Sequence, residues 1–253
     1  TLAVSTLGLA EAGGLLLAAD LSQKAISVVG LAVNIVIMQS SIRAAEFGSD
    51  AELQHQARMQ IAIATAFVAP AAVGFLLIQQ PFVDLFVAAE YQETYWQSIG
   101  LACLASGVLA FRLFAIDSLF VAFGKTEGAV VGPLLSALVT LTAIALLTLR
   151  GFTTPLTITA SFAGGIIAGT VAAIIMLVRV KPLRWPLADL AKIAVGCAAM
   201  VAAWWAIPTI TGNLFRLLLT LASCGALYTL AVVSLNAAGL RARVVGMLRN
   251  VHK

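Results

Sequence analysis

Runs of about twenty apolar residues recur along this chain, separated by short polar stretches, and no other feature limits its fold as severely. They fall at about 14–38, 60–79, 97–123, 128–149, 156–178, 188–209 and 214–238. A bilayer core roughly 30 Å thick needs about 20 apolar residues of helix. Inside it every backbone N–H and C=O must be satisfied by the protein itself, which selects helices for such runs. Pro70, Pro133 and many glycines lie within them, as membrane helices tolerate. The expected fold is all-α, a polytopic membrane bundle of about seven transmembrane helices.

Composition agrees. Of 253 residues, 61% are hydrophobic and 10% charged, and the mean hydropathy is +1.03. A soluble domain carries about 25% charged residues. A chain this poor in charge cannot cover a water-facing surface, so lipid is its main solvent. The net charge of +4 is therefore not read as nucleic-acid affinity.

The basic residues set a direction. Arg43, Arg58, Lys125, Arg179, Lys181, Arg184 and Lys192 fall in alternate loops, and Arg241, Arg243, Arg249 and Lys253 in a tail on the same side. Arg150 and Arg216 fall opposite. The excess of Lys and Arg on cytoplasmic loops puts the first set and the C-terminus inside. The tail from Leu240 alternates basic and apolar residues and reads as lying on the anionic inner leaflet. Residues 80–96, rich in aromatics and free of basic residues, read as an outer loop with a short interfacial helix. The inner segment 39–59 reads as partly helical.

Charges inside the spans single out candidate functional residues, because an Asp, Lys or Arg at mid-membrane costs about 2.5–3.5 kcal/mol on the insertion scale. Asp20, Lys24, Ser27 and Asn34 share one arc of the first span, and Asp20 and Lys24 are one turn apart, within pairing distance. Such a stripe suits a bundle interior or a watery cavity. Arg112 lies mid-span in GVLAFRLFAIDSLF and is expected to face a hydrated cavity or a carboxylate of another helix. Its fork of donors suits a phosphate. Asp117 is roughly 140° round an α-helix from Arg112, so the two are expected on different faces, with Asp117 a candidate for binding a proton. In the fifth span Gly165 and Gly169 form GxxxG, the pattern of closely packed helices.

Other residues carry less. Cys103, Cys197 and Cys224 sit in apolar runs without a CxxC pair and read as small buried side chains. His55 and His252 have no partner at metal-ligand spacing, and no metal or cofactor is expected. HExxH, GxSxG and GxxxxGK[ST] are absent, so no enzyme is expected. The chain opens on Thr1 without the pattern of a signal peptide. Residues 1–13 read as the tail of an earlier helix, with a turn at Gly13-Gly14, as in a piece of a longer protein.

Three stretches carry a family resemblance. AEAGGLLLAADLSQKAISVVGLAVNIVIMQSSIRAAEFGSDAEL, VAPAAVGFLLIQQPFVDLFVAAEYQET and SLFVAFGKTEGAVVGPLLSA resemble the second half of bacterial polysaccharide (oligosaccharide-lipid) flippases of the multidrug/oligosaccharidyl-lipid/polysaccharide exporter superfamily. The resemblance spans about residues 10–180. It departs at Gln39, where the family often has Pro, and at Ala88–Ala89, where it often has Gly. It implies that 1–180 form a C-terminal lobe and 181–253 a final helix pair with a basic tail. It implies an inner-membrane transporter that moves a polyprenyl-diphosphate-linked oligosaccharide from the inner to the outer leaflet by alternating access. Lys24, Arg112, Asn34 and Ser27 would then line the substrate cavity, and Asp20 or Asp117 would bind the coupling ion. Partners implied are membrane lipids, the lipid-linked oligosaccharide, and the polysaccharide polymerase and export machinery. A cation-coupled drug exporter of the same superfamily and a non-transporting scaffold of envelope assembly are the competing readings.

Overall fold

The structure, a computed structural model, describes residues 7–207 and 212–240, with the side chains of 32–37 and of Phe47 outside the description. Helices α1 (Leu9–Phe47), α2 (Asp50–Leu77), α3 (Gln79–Phe86) and α4 (Ala89–Phe111) come first. A π-turn (Arg112–Asp117) joins α4 to the short α5 (Ser118–Ala122). Then follow α6 (Thr126–Leu149), α7 (Pro155–Val180), α8 (Leu187–Ala206), α9 (Asn213–Ser234) and a 3-10 turn (Ala237–Gly239). Among the described residues, 7 helical segments are long and apolar enough to cross a membrane, and no strand occurs. The expected all-α polytopic bundle is what the chain forms.

The differences lie at the ends of elements. The first helix runs unbroken through Gly13 and Gly14, where a turn was expected. These glycines instead admit α4: a Cβ at Gly13 would strike the Tyr91 ring, and one at Gly14 would reach Thr94. Gly8 precedes helix α1 as its N-cap, and its N–H is held by the Glu11 carboxylate at 3.2 Å. It has 39 residues, about 58 Å at 1.5 Å per residue, and so extends well beyond a 30 Å core. The segment 39–59 is helical throughout except at Gly48-Ser49, where Ser49 caps α2 by accepting from the Glu52 N–H at 3.3 Å. The third span begins earlier than expected, at Ala89. The basic tail beyond Leu240 falls outside the described residues.

Local chemistry explains the breaks. Gly124 ends α5 at φ +66°, with the Lys125 N–H returning to the Phe120 carbonyl at 2.9 Å, the closure of a helix C-terminus by a left-handed glycine. Pro155 opens α7 behind Thr154, which caps the Thr157 N–H at 3.2 Å. Pro70 lies inside α2 and cannot donate to the Ala66 carbonyl four residues back. The Tyr228 hydroxyl of α9 donates to that carbonyl instead. The last helix thus satisfies a group the proline leaves open, as a bilayer requires.

Packing follows small residues. Gly165 and Gly169 of α7 lie against Ser136, Thr140 and the Gly132 carbonyl of α6, so closely that a Cβ at either glycine would collide. The GxxxG reading holds. Helix α1 runs beside the third span in the same direction: Gly14 meets Tyr91 and Ser22 meets Cys103 of α4, and Gly30 meets Phe114 of the π-turn. The final pair packs on α2, and the Asp189 carboxylate accepts from the Ala238 N–H at 3.1 Å.

The loops carrying Lys125 and Lys181 gather at one end. Lys181 binds Asp50 at 2.6 Å, Gln54 donates to the Pro182 carbonyl, and Lys125 and Lys181 line one cleft with Glu46. At the other end the Tyr95 hydroxyl donates to Gln79 at 2.6 Å.

Candidate functional site

Two polar groupings lie within the apolar spans, one on an exposed helix face and one buried. The outward one is on α1. This helix buries Leu15, Ala18, Ser22 and Ile26 and exposes Leu16, Asp20, Gln23, Lys24, Val28 and Leu31. The Lys24 ammonium donates to the Asp20 carboxylate at 2.7 Å, with side chains 72% and 54% exposed. The one-turn pairing read from sequence is present. Ser27 is half-buried, and the side chain of Asn34 lies outside the described ones.

Depth can be measured along the helix. Gly14 is level with Tyr91 at the start of α4, near the Tyr95–Gln79 bond. Asp20 and Lys24 lie about 9 and 15 Å further along at 1.5 Å per residue. At the same depth Ser22, on the opposite face, touches Cys103 inside α4, its Oγ 3.4 Å from the sulfur. The exposed pair therefore lies inside the apolar span Leu9–Leu31, where contact with lipid would cost several kcal/mol.

The buried grouping surrounds the π-turn. Arg112 is 3% exposed and about 16 Å along the helix from Phe123, inside the apolar span Ala89–Ala122. Its Nη1 donates to the Ser136 hydroxyl of α6 at 2.8 Å, and its stem lies against Gly132. Its Nε is 3.5 Å from Oδ2 of Asp117. The expectation that Arg112 and Asp117 point to different faces fails. The 140° separation assumes 100° per residue, whereas a π-turn closes i to i+5 and brings residues five apart onto one face. The carboxylate that meets Arg112 is on its own helix, not a neighbouring one.

The turn has further supports. Ser118 donates to the Leu113 carbonyl at 2.9 Å, and the Gln60 amide of α2 donates to the Phe114 carbonyl at 3.2 Å. Gln60, fully buried, also accepts from Ser41 of α1 at 2.6 Å. Two buried atoms at the centre, Arg112 Nε and Asp117 Oδ1, have no hydrogen-bond partner.

Lys24 and Arg112 are thus not brought together. Lys24 is exposed and held by Asp20, and Arg112 is buried and committed to Ser136 and Asp117. Sequence reasoning missed Gln60 and Ser136. Gln60 stands at the edge of its apolar run and looks like the border of a loop, and a lone serine in a membrane helix carries no signal. Among the described residues no group of three His, Cys, Asp or Glu side chains is placed to hold a metal ion.

Fold and site together define a polytopic α-helical membrane protein with an outward-facing ion pair and a buried ionic turn. No family model, curated protein or solved structure matches the chain.

Proposed function

We propose that the chain is a lobe of a transporter that carries a polyprenyl-diphosphate-linked oligosaccharide from the inner to the outer leaflet of a bacterial inner membrane. The exposed Asp20–Lys24 pair on α1 is the observation that supports it most. A charged pair at this depth needs either a protein partner or a hydrated path beside it. Lys24 supplies the cation that offsets the diphosphate, Asp20 holds that ammonium in place when no substrate is bound, and Ser27 and Asn34 follow on the same stripe. The basic ends face the cytoplasm, and a polysaccharide polymerase and export machinery take the product.

Arg112 supports a competing reading. It is buried in the helix packing, with Nη1 donating to Ser136 and Nε facing Asp117, which suits a scaffold of envelope assembly that moves nothing. Reconstituting the full-length protein in liposomes with a fluorescent lipid-linked oligosaccharide separates the two. Transport by the wild type, retained by Lys24→Arg and lost in Lys24→Ala, supports the transporter. Equal transbilayer movement with wild type, Lys24→Ala and empty liposomes supports the scaffold.

A further inference from the structure

The third span is continuous in sequence but not in register. Its outer arm, α4, and its inner arm, α5, meet at the six-residue π-turn Arg112–Asp117. A π-turn holds one more residue per turn than the α-helix around it, is rare, and recurs at functional sites. Here it and the ion pair depend on each other. In α register Arg112 and Asp117 would stand roughly 140° apart and could not meet. In π register Nε and Oδ2 lie 3.5 Å apart.

The contact is incomplete. That separation is too long for a charge-assisted hydrogen bond, which closes to about 2.8 Å. Arg112 Nε and Asp117 Oδ1 are both buried without a partner. Unsatisfied buried polar groups are uncommon in folded proteins and destabilise the arrangement that holds them. Other polar groups of the turn are held by nearby side chains. Gln60 and Ser118 take the Phe114 and Leu113 carbonyls, and Ser136 takes Nη1 of Arg112. Two of these three supports come from other helices, and Gln60 is itself bonded to Ser41 of α1.

We propose that the Arg112–Asp117 π-turn is a two-register hinge. In the register described here the ion pair is made and Arg112 holds α6 through Ser136. In the other register, residues 112–117 wind as α-helix. The two charges then separate, the Ser136 bond opens, and one arm of the span rotates against the other by about one residue's worth, roughly 100°. Gln60 links the hinge to α1, the helix whose outer half carries Asp20 and Lys24. The hinge is a property of the third span and stands whatever crosses the membrane, so it goes beyond the transporter reading.

Spin-label distances test it in the full chain, in lipid nanodiscs, with the three native cysteines replaced by Ser. One label pair spans the outer arm and α7, at Leu104 and Ile167, and the other spans the inner arm and α6, at Val121 and Leu134; all four side chains are exposed. Each pair is measured in the wild type, in Asp117→Asn, which weakens the ion pair, and in Gln60→Leu, which keeps the charges and removes the amide from the Phe114 carbonyl. At least one pair is expected to show two distance populations, with both variants shifting the balance in the same direction. One unchanged distance for both pairs in the wild type and in every variant that folds overturns the hinge. The wild-type and Gln60→Leu measurements keep the test decisive if Asp117→Asn fails to fold.

Discussion

Arg112 and Asp117, five residues apart in one membrane span, meet with Nε 3.5 Å from Oδ2 because the helix between them winds as a π-turn. Both side chains are nearly buried, at 4% and 13% exposure. A buried pair of this kind adds little net stability when intact, but breaking it by removing one partner leaves an uncompensated charge. Asp117→Leu and Arg112→Leu are each expected to lower unfolding free energy by about 3–5 kcal/mol, and the double variant by less than the worse single one. A double-mutant cycle of unfolding in bicelles measures the difference. Additive losses would mean that the two charges do not interact.

Close packing of α6 on α7 yields a contrast between two glycines of α7. A Cβ at Gly169 collides with the α6 backbone, whereas one at Gly164 meets nothing within 4 Å. Gly169→Ala is expected to cost about 1–3 kcal/mol through overpacking and to pull Ser136 away from Arg112. Gly164→Ala is expected to be nearly neutral. Thermal unfolding of both variants in the same detergent checks the pair.

Pro70 and Tyr228 form a second testable unit. Tyr228→Phe leaves the Ala66 carbonyl without the donor that stands in for the missing proline N–H. The expected loss is about 1–3 kcal/mol, the cost of an unsatisfied buried polar group. Pro70→Ala restores an N–H to that carbonyl, so Tyr228→Phe is expected to cost clearly less in the Pro70→Ala background. The same loss in both backgrounds would contradict the account.

Topology gives a prediction from labelling sites outside the hydrocarbon. Ser49 precedes α2 and Lys125 precedes α6, at the end where basic residues gather, and Phe152 lies in the turn between α6 and α7 at the other end. Ser49→Cys and Lys125→Cys are expected to react with an impermeant maleimide only from the cytoplasmic side, and Phe152→Cys only from the outer side. Reaction of all three from one side would refute the span count.

The spans were legible because a bilayer demands a long apolar run for each crossing, and that demand is written residue by residue. The Asp20–Lys24 pair was legible because residues four apart share a face of any α-helix. The Gly165–Gly169 seam was legible because only small residues let helix backbones touch. The Arg112–Asp117 pair was not, since angular arithmetic assumes an unbroken α-helix and nothing in RLFAID announces an extra residue in the turn. The reach of α1 was hidden too. Its inner end is polar and reads as loop, and Gly13-Gly14 reads as a turn until Tyr91 and Thr94 of another helix are seen against it.

Water access to the exposed face of α1 tests the central claim most directly. In full-length, otherwise cysteine-free protein in native membranes, Gln23→Cys is compared with Leu138→Cys, an exposed position on the apolar helix α6. A small hydrophilic thiol reagent is expected to modify position 23 and to leave position 138 unmodified. Position 23 as inert as position 138 would place the Asp20–Lys24 face against protein or lipid and contradict a polar path along α1.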